Sequence, residues 1–119
     1  MKKLIGLKKT KTAIFISGTG SNLKNLIKFS KKKKSPISID LIISNTHNAK
    51  GLKYSRKYNI QKKVISFKNN KLAEEKIFNF LLVKNIKFIC LAGFMKILSK
   101  NLKEKSLIFI HHYFQNTKD

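Results

Sequence analysis

Acidic residues are scarce in this chain: 5 aspartates and glutamates stand against 27 lysines and arginines in 119 residues, a formal net charge of +22. Cysteine occurs once, as Cys90. An internal disulfide is therefore excluded, and with no second cysteine and no histidine pair at ligand spacing a structural zinc site cannot be built. Cys90 reads most simply as a small core hydrophobe. Long apolar runs are missing too, none approaching the roughly 20 residues of a membrane span. The lysine-broken start has no signal-peptide apolar region or cleavage site, so a cytoplasmic protein is expected. What is present is a hydrophobic fraction of 42%. Over this length that fraction suits one compact domain, burying roughly two-thirds of the surface of the unfolded chain.

The positive charge invites a nucleic-acid reading, but arginine is nearly missing. Among the 27 basic residues only Arg56 is arginine, whereas base edges and phosphates are read best by its planar fork. Lysine, asparagine and isoleucine make up nearly half of the chain, and all three are encoded by A and T. An AT-rich genome placing lysine at permissive surface positions accounts for the charge. The run Lys31 to Lys34 lies between a helical pattern and Pro36, where a solvated turn is expected. A lysine-rich nucleic-acid-binding module stands as the alternative reading of the whole chain.

Apolar periodicity alternates along the sequence. Ala13-Ile14-Phe15-Ile16, closed by Ser17 and Gly18, reads as a strand buried on both faces. Leu23, Leu26 and Ile27 follow at helical spacing. Ile37 to Ser44 reads as a second strand, Ala49 to Tyr58 as a short helix, and Lys63 to Ile65 as a brief third strand. Ala73, Ile77, Phe80 and Leu81 then share one helical face, and Phe88 to Ala92 is the fourth strand. This order predicts an α/β fold, an open, mainly parallel Rossmann-like sheet with helices on both faces. Ligands of such sheets bind beyond the carboxyl ends of the strands, where the strand order reverses.

Two loops leave strands at that end. In Gly18-Thr19-Gly20-Ser21-Asn22 the glycines permit a tight turn and close backbone approach, and Ser21 and Asn22 are candidate helix caps. The N–H groups at that helix start would attract an anion, most simply a phosphate. The dinucleotide fingerprint is not met: Leu23 takes the place of its third glycine, and the second strand ends without an acid for a ribose diol. A bare strand-to-helix turn would use the same glycines. The second loop is Gly93-Phe94-Met95-Lys96-Ile97-Leu98-Ser99.

Four stretches taken together carry a resemblance. They are Ile16-Ser17-Gly18-Thr19-Gly20-Ser21-Asn22-Leu23, then Ile43-Ser44-Asn45 with Ala49-Lys50-Gly51-Leu52, then the helix from Leu72, and Leu91-Ala92-Gly93-Phe94-Met95-Lys96-Ile97-Leu98-Ser99. From Thr12 to Ser99 the chain resembles the glycinamide ribonucleotide (GAR) formyltransferases of purine biosynthesis. Two related formyl-folate families, the initiator-tRNA formyltransferases and the formyltetrahydrofolate deformylases, look similar in the later loop but lack the G-x-G-S-N-L opening. The resemblance implies that Gly20, Ser21 and Asn22 hold the phosphate of GAR. It implies that Met95, Lys96, Ile97 and Leu98 line the pterin pocket of the co-substrate 10-formyltetrahydrofolate, with Lys71 where the family has an arginine near the folate. Phe94 is expected in the core. Small molecules are thus the implied partners, with no metal and no membrane.

The tail departs from the family. Formyl transfer passes through a tetrahedral intermediate that needs an oxyanion donor and a proton for the leaving nitrogen. The family assigns these tasks to an asparagine and a histidine in an N-I-H-P-S-L-L-P segment, with an aspartate farther along. Here the chain reads Leu107-Ile108-Phe109-Ile110-His111-His112-Tyr113, which aligns His111 with the catalytic histidine but puts Phe109 on the asparagine and His112 on the proline. Adjacent histidines on an extended chain point to opposite sides. Read one base earlier, with Leu107 as TTA, Ile108 as ATA, Phe109 as TTC, Ile110 as ATC and His111 as CAT, the codons become AAT, ATT, CAT, CCA and TCA, which spell N-I-H-P-S. The expected organisation is therefore a basic leader over 1–11, a substrate-binding part over 12–106, and an out-of-frame tail over 107–119. It implies a chain lacking the C-terminal half of the family fold and inactive in this form.

Overall fold

The computed structural model describes residues 8–106 and 109–112, the side chains of residue 103 and of 105 onward excepted. The chain alternates strand and helix as β1 (Thr10–Ile16), α1 (Ser21–Ser30), β2 (Ile37–Ser44), a 3-10 turn (Lys50–Leu52) running into α2 (Lys53–Lys57), β3 (Lys62–Val64), α3 (Asn70–Val83), β4 (Phe88–Leu91), α4 (Lys100–Ser106) and β5 (Phe109–His112). The strands form one sheet in the order β3-β2-β1-β4-β5, and every neighbouring pair is parallel.

Alternation along the central strands divides the core in two. Ala13 and Phe15 of β1 face one side with Leu41 and Ile43 of β2, and α3 covers them with Ala73, Ile77 and Leu81. Ile14, Ile16 and Ile42 face the other side and are covered by Leu23, Leu26 and Ile27 of α1. A strand flanked by strands and covered on both faces must be apolar at every position, which is why Ala13–Ile16 is an unbroken run. The single acid within β2 is absorbed by an irregularity: the register with β1 steps from Thr12↔Ile39 to Ala13↔Leu41, so Asp40 has no opposite residue and accepts from Ser38 Oγ at 2.7 Å. Asn59 and Asn85 carry positive φ of 56° and 58° just beyond α2 and α3. There Ile60 and Ile86 donate back to Ser55 and Leu81 at 2.8 and 2.9 Å, closing the helix ends.

Three boundaries differ from expectation. β1 begins at Thr10, inside the stretch read as a leader, because Thr10 N–H donates to the Pro36 carbonyl at 2.8 Å and the Lys11 carbonyl accepts from Lys87 at 3.0 Å. Polar side chains at an exposed strand start conceal such pairing from a hydrophobicity pattern. The expected helix over Ala49–Tyr58 opens as the 3-10 turn rather than as α-helix. Finally, Phe109–His112, within the stretch read as an out-of-frame tail, forms β5 beside β4, with Cys90↔His111 and Leu91↔His112 in register.

Candidate functional site

β1 lies between β2 and β4, and the chain winds outward from it on both sides, so the strand order reverses at the β1–β4 boundary. Loops leaving adjacent strands on either side of such a boundary splay apart over the sheet edge and open a crevice. The two loops singled out by sequence are those that leave β1 and β4. They meet: Met95 N–H donates to Ser17 Oγ at 2.8 Å across 78 positions of sequence. Ser17 Oγ in turn donates to Asn45 Oδ1 at the end of β2 at 2.5 Å, and Ala92 N–H donates to the Phe15 carbonyl at 3.0 Å.

The glycine loop is built by backbone contact. Gly20 is the N-cap of α1 with φ 79°, in the left-handed region, and no side chain caps the helix. This corrects the expected capping by Ser21 and Asn22: both lie inside the first turn, because the left-handed Gly20 takes the N-cap position and makes Ser21 the first helical residue. Lys24 N–H makes the first helical bond, to the Gly20 carbonyl at 2.8 Å, so the N–H groups of Ser21, Asn22 and Leu23 precede it without a capping side chain. The first turn contains no acid. That combination of donors and positive helix end favours an anion. Gly20 also packs on Gly51 of the 3-10 turn. A Cβ built at Gly20 would stand 2.6 Å from Gly51 Cα and 3.4 Å from the Tyr54 ring, and one at Gly51 would stand 2.8 Å from Gly20 Cα. Gly51 N–H donates to the Gly18 carbonyl at 3.0 Å. Gly18 itself has nothing within 4 Å of a built Cβ.

The residues of the second loop separate by exposure. Met95 and Ile97 stand 77% and 86% exposed, whereas Leu98 is 6% exposed and packs in the cluster with Phe15, Leu91 and Leu102. Leu98 therefore offers a ligand its backbone rather than its side chain. Lys96 is exposed. Phe94 packs edge-on to Phe15 and Phe67, ring centres 5.3 and 5.5 Å apart, as expected of a core residue. At the far end of the loop Ser99 donates its N–H to Glu74 Oε2 at 2.6 Å and its hydroxyl to Glu74 Oε1. Lys71 is exposed in the first turn of α3, one helical turn before Glu74. Of the tail, β5 sets the backbone of His111 opposite Cys90, next to the strand that feeds the second loop; its side chain lies outside the described residues. Cys90 is buried, and burial pushes its thiol up to about 11.

Ser17, Asn45, Gly51 and Glu74 are members of this site that the sequence reading did not assign. Ser17, Asn45 and Gly51 fall inside the stretches that carried the resemblance, which was the available signal. Nothing in the sequence marks Glu74. A cavity of about 690 Å³, lined by Thr10, Pro36, Ile37 and Phe88 among others, lies at the amino ends of the strands, away from both loops.

A parallel α/β sheet with a glycine turn opening a helix, and a second loop hydrogen-bonded beside it at the switch point, defines the class: a doubly wound, Rossmann-like α/β domain. A sequence profile described as formyl transferase matches residues 10–114, and the chain belongs to the formyl transferase family. It is 38% identical over 101 residues to the human trifunctional purine biosynthetic protein adenosine-3, covering 82% of this chain and 10% of that protein. It is 33% identical over 98 residues to the phosphoribosylglycinamide formyltransferase of Haemophilus influenzae, covering 80% of this chain and 46% of that enzyme. The crystal structure of the Brucella melitensis phosphoribosylglycinamide formyltransferase superposes with a TM-score of 0.82 at 30% identity, covering 88% of this chain and 56% of that one. The chain thus spans about half the length of these bacterial relatives. The fold and the relatives lend no support to the nucleic-acid-binding alternative. No described helix is long and apolar enough to cross a membrane.

Proposed function

We propose that this chain binds GAR by its phosphate and 10-formyltetrahydrofolate by its pterin, as the substrate-holding part of a GAR formyltransferase of cytoplasmic purine biosynthesis. The observation that carries the reading is the bond from Met95 N–H to Ser17 Oγ at 2.8 Å, which sets the two substrate loops side by side at the switch point. On one side Gly20, Ser21 and Asn22 present their N–H groups to the phosphate. On the other, Met95 and Ile97 offer apolar side chains, with the backbone from Met95 to Leu98 reading the ring edge and Lys71 and Lys96 supplying charge for the glutamate of the folate. The exposed apolar pair suits a flat heteroaromatic ring.

The reaction joins the amine of GAR to the formyl carbon. The carbonyl oxygen becomes an oxyanion in the tetrahedral intermediate, the bond to the folate nitrogen then breaks, and the proton lost by the amine passes to that nitrogen. Phe109 supplies no oxyanion donor where the family has asparagine, so His111 would have to act alone. Missing oxyanion donors typically cost about a hundred- to a thousandfold, and the chain is proposed to transfer formyl groups at most at that residual level, with 107–119 as an out-of-frame segment. Calorimetric titration with GAR and with the folate tests the binding reading. Assay beside a version read in the shifted frame from Leu107 tests the catalytic one. Failure of both ligands to bind would refute the first; full activity of the chain as it stands would refute the second and return the catalytic role to His111.

A further inference from the structure

We propose that Ser17 is a positioning residue that sets the folate loop from the phosphate loop, so that the two ligands bind cooperatively; this rests on the functional reading above. A serine hydroxyl has one proton and two lone pairs. Here the proton is committed to Asn45 Oδ1 at 2.5 Å, which fixes the rotor and aims a lone pair at Met95 N–H, 2.8 Å away. One half-buried hydroxyl thereby ties the ends of β1, β2 and β4. The segment it holds is anchored at its other end by Glu74 through Ser99, so Lys96 and Ile97 span the gap between two fixed points. The glycine loop is itself braced on the 3-10 turn by the bond from Gly51 N–H to the Gly18 carbonyl, and Gly18 directly follows Ser17. An anion that draws in the N–H groups of Ser21 and Asn22 orders the short loop that leaves Ser17, the residue that fixes Met95. A ligand at either loop thus reduces what the other must order, and the coupling is reciprocal.

The test is calorimetric titration of the full chain with GAR, with 10-formyltetrahydrofolate, and with each in the presence of the other. The unaltered chain should bind the folate more tightly when GAR is present. Ser17→Ala should weaken folate binding about tenfold, erase the enhancement, and leave GAR binding within twofold. Ser17→Thr, which keeps the hydroxyl, should restore both. Asn45→Ala, which frees the rotor without removing the acceptor, should weaken folate binding about threefold, and it carries the test if Ser17→Ala does not fold. Unchanged folate affinity in Ser17→Ala and Asn45→Ala, or equal weakening of both ligands, would overturn the inference while the functional reading stands. Binding of neither ligand by the unaltered chain would overturn both.

Discussion

Replacing Gly20 by alanine should unfold the protein at a markedly lower temperature, whether or not any ligand is present. Two separate costs arise at this position. Its φ of 79° places a side chain in the left-handed region, which costs about 1–2 kcal/mol for an L-residue. The added methyl would also stand 2.6 Å from Gly51 Cα, about 1 Å inside a normal carbon contact. Neither backbone can yield freely, because the bond from Gly51 N–H to the Gly18 carbonyl holds them together at 3.0 Å. Forcing such a contact apart adds about 1–3 kcal/mol. The sum, about 2–5 kcal/mol, corresponds to a fall in Tm of about 8–20 °C at roughly 4 °C per kcal/mol for a domain of this size. Gly18→Ala is the matched control: its methyl meets nothing within 4 Å, so its Tm should move by no more than about 4 °C. Thermal unfolding followed by circular dichroism reads both. Equal midpoints for the two variants would refute the argument that Gly20 is glycine because of its conformation and its neighbour.

Leu98→Ala should destabilise the chain by about 2–5 kcal/mol, since Leu98 is 6% exposed within the core, while Ile97→Ala, at 86% exposed, should change stability by less than about 0.5 kcal/mol and weaken folate binding instead. Denaturant titration beside ligand titration separates the two, and identical stability losses would undo the division of the loop. Glu74→Ala should cost about 1–3 kcal/mol, because it removes the carboxylate that accepts both the N–H and the hydroxyl of Ser99; Glu75→Ala, exposed on the same helix, is the control. Cys90 should resist a disulfide reagent at pH 8 until the chain unfolds. Its thiol is pushed from 9.0 to about 11 in the fold, so the folded state keeps its proton where the unfolded state releases it. This contribution to stability is whole below pH 9 and declines between pH 9 and about 11. Finally, a net charge of +22 repels itself, so Tm should rise as sodium chloride is raised from low ionic strength; an unchanged Tm would show that the lysines are already screened or paired.

The division of labour between sequence and fold follows the range of each interaction. Strands and helices depend on neighbours a few residues apart, and the run Ala13–Ile16 together with the spacing of Ala73, Ile77 and Leu81 announces them without a structure. The glycine turn is similarly local, since left-handed backbone at Gly20 favours the residue that lacks a Cβ. Element order then implies a parallel sheet, and a parallel sheet implies a crevice at its carboxyl end, which is how both loops were legible. The weaker signals failed where side chains do not report pairing: Thr10 and Lys11 join the sheet through their backbones, and Phe109–His112 joins it from a stretch that does not spell the family's N-I-H-P-S segment.

What only the tertiary structure decided is how the loops are held. The contact of Gly20 with Gly51 joins two turns that no periodicity links, and it, rather than ligand approach alone, dictates both glycines. The sharing of Ser17 by Asn45 and Met95 depends on three strand ends converging, and serine is too common a residue to advertise it. Leu98 and Ile97 are neighbouring apolar residues that sequence cannot tell apart; one is core and the other solvent-facing because the chain turns between β4 and α4. Sequence by itself determined the elements, their order and the end of the sheet where ligands belong, because those follow from local sterics and burial. Which backbone touches which across that end, and therefore which residues hold the site in shape, was set by the packing of segments far apart in the chain.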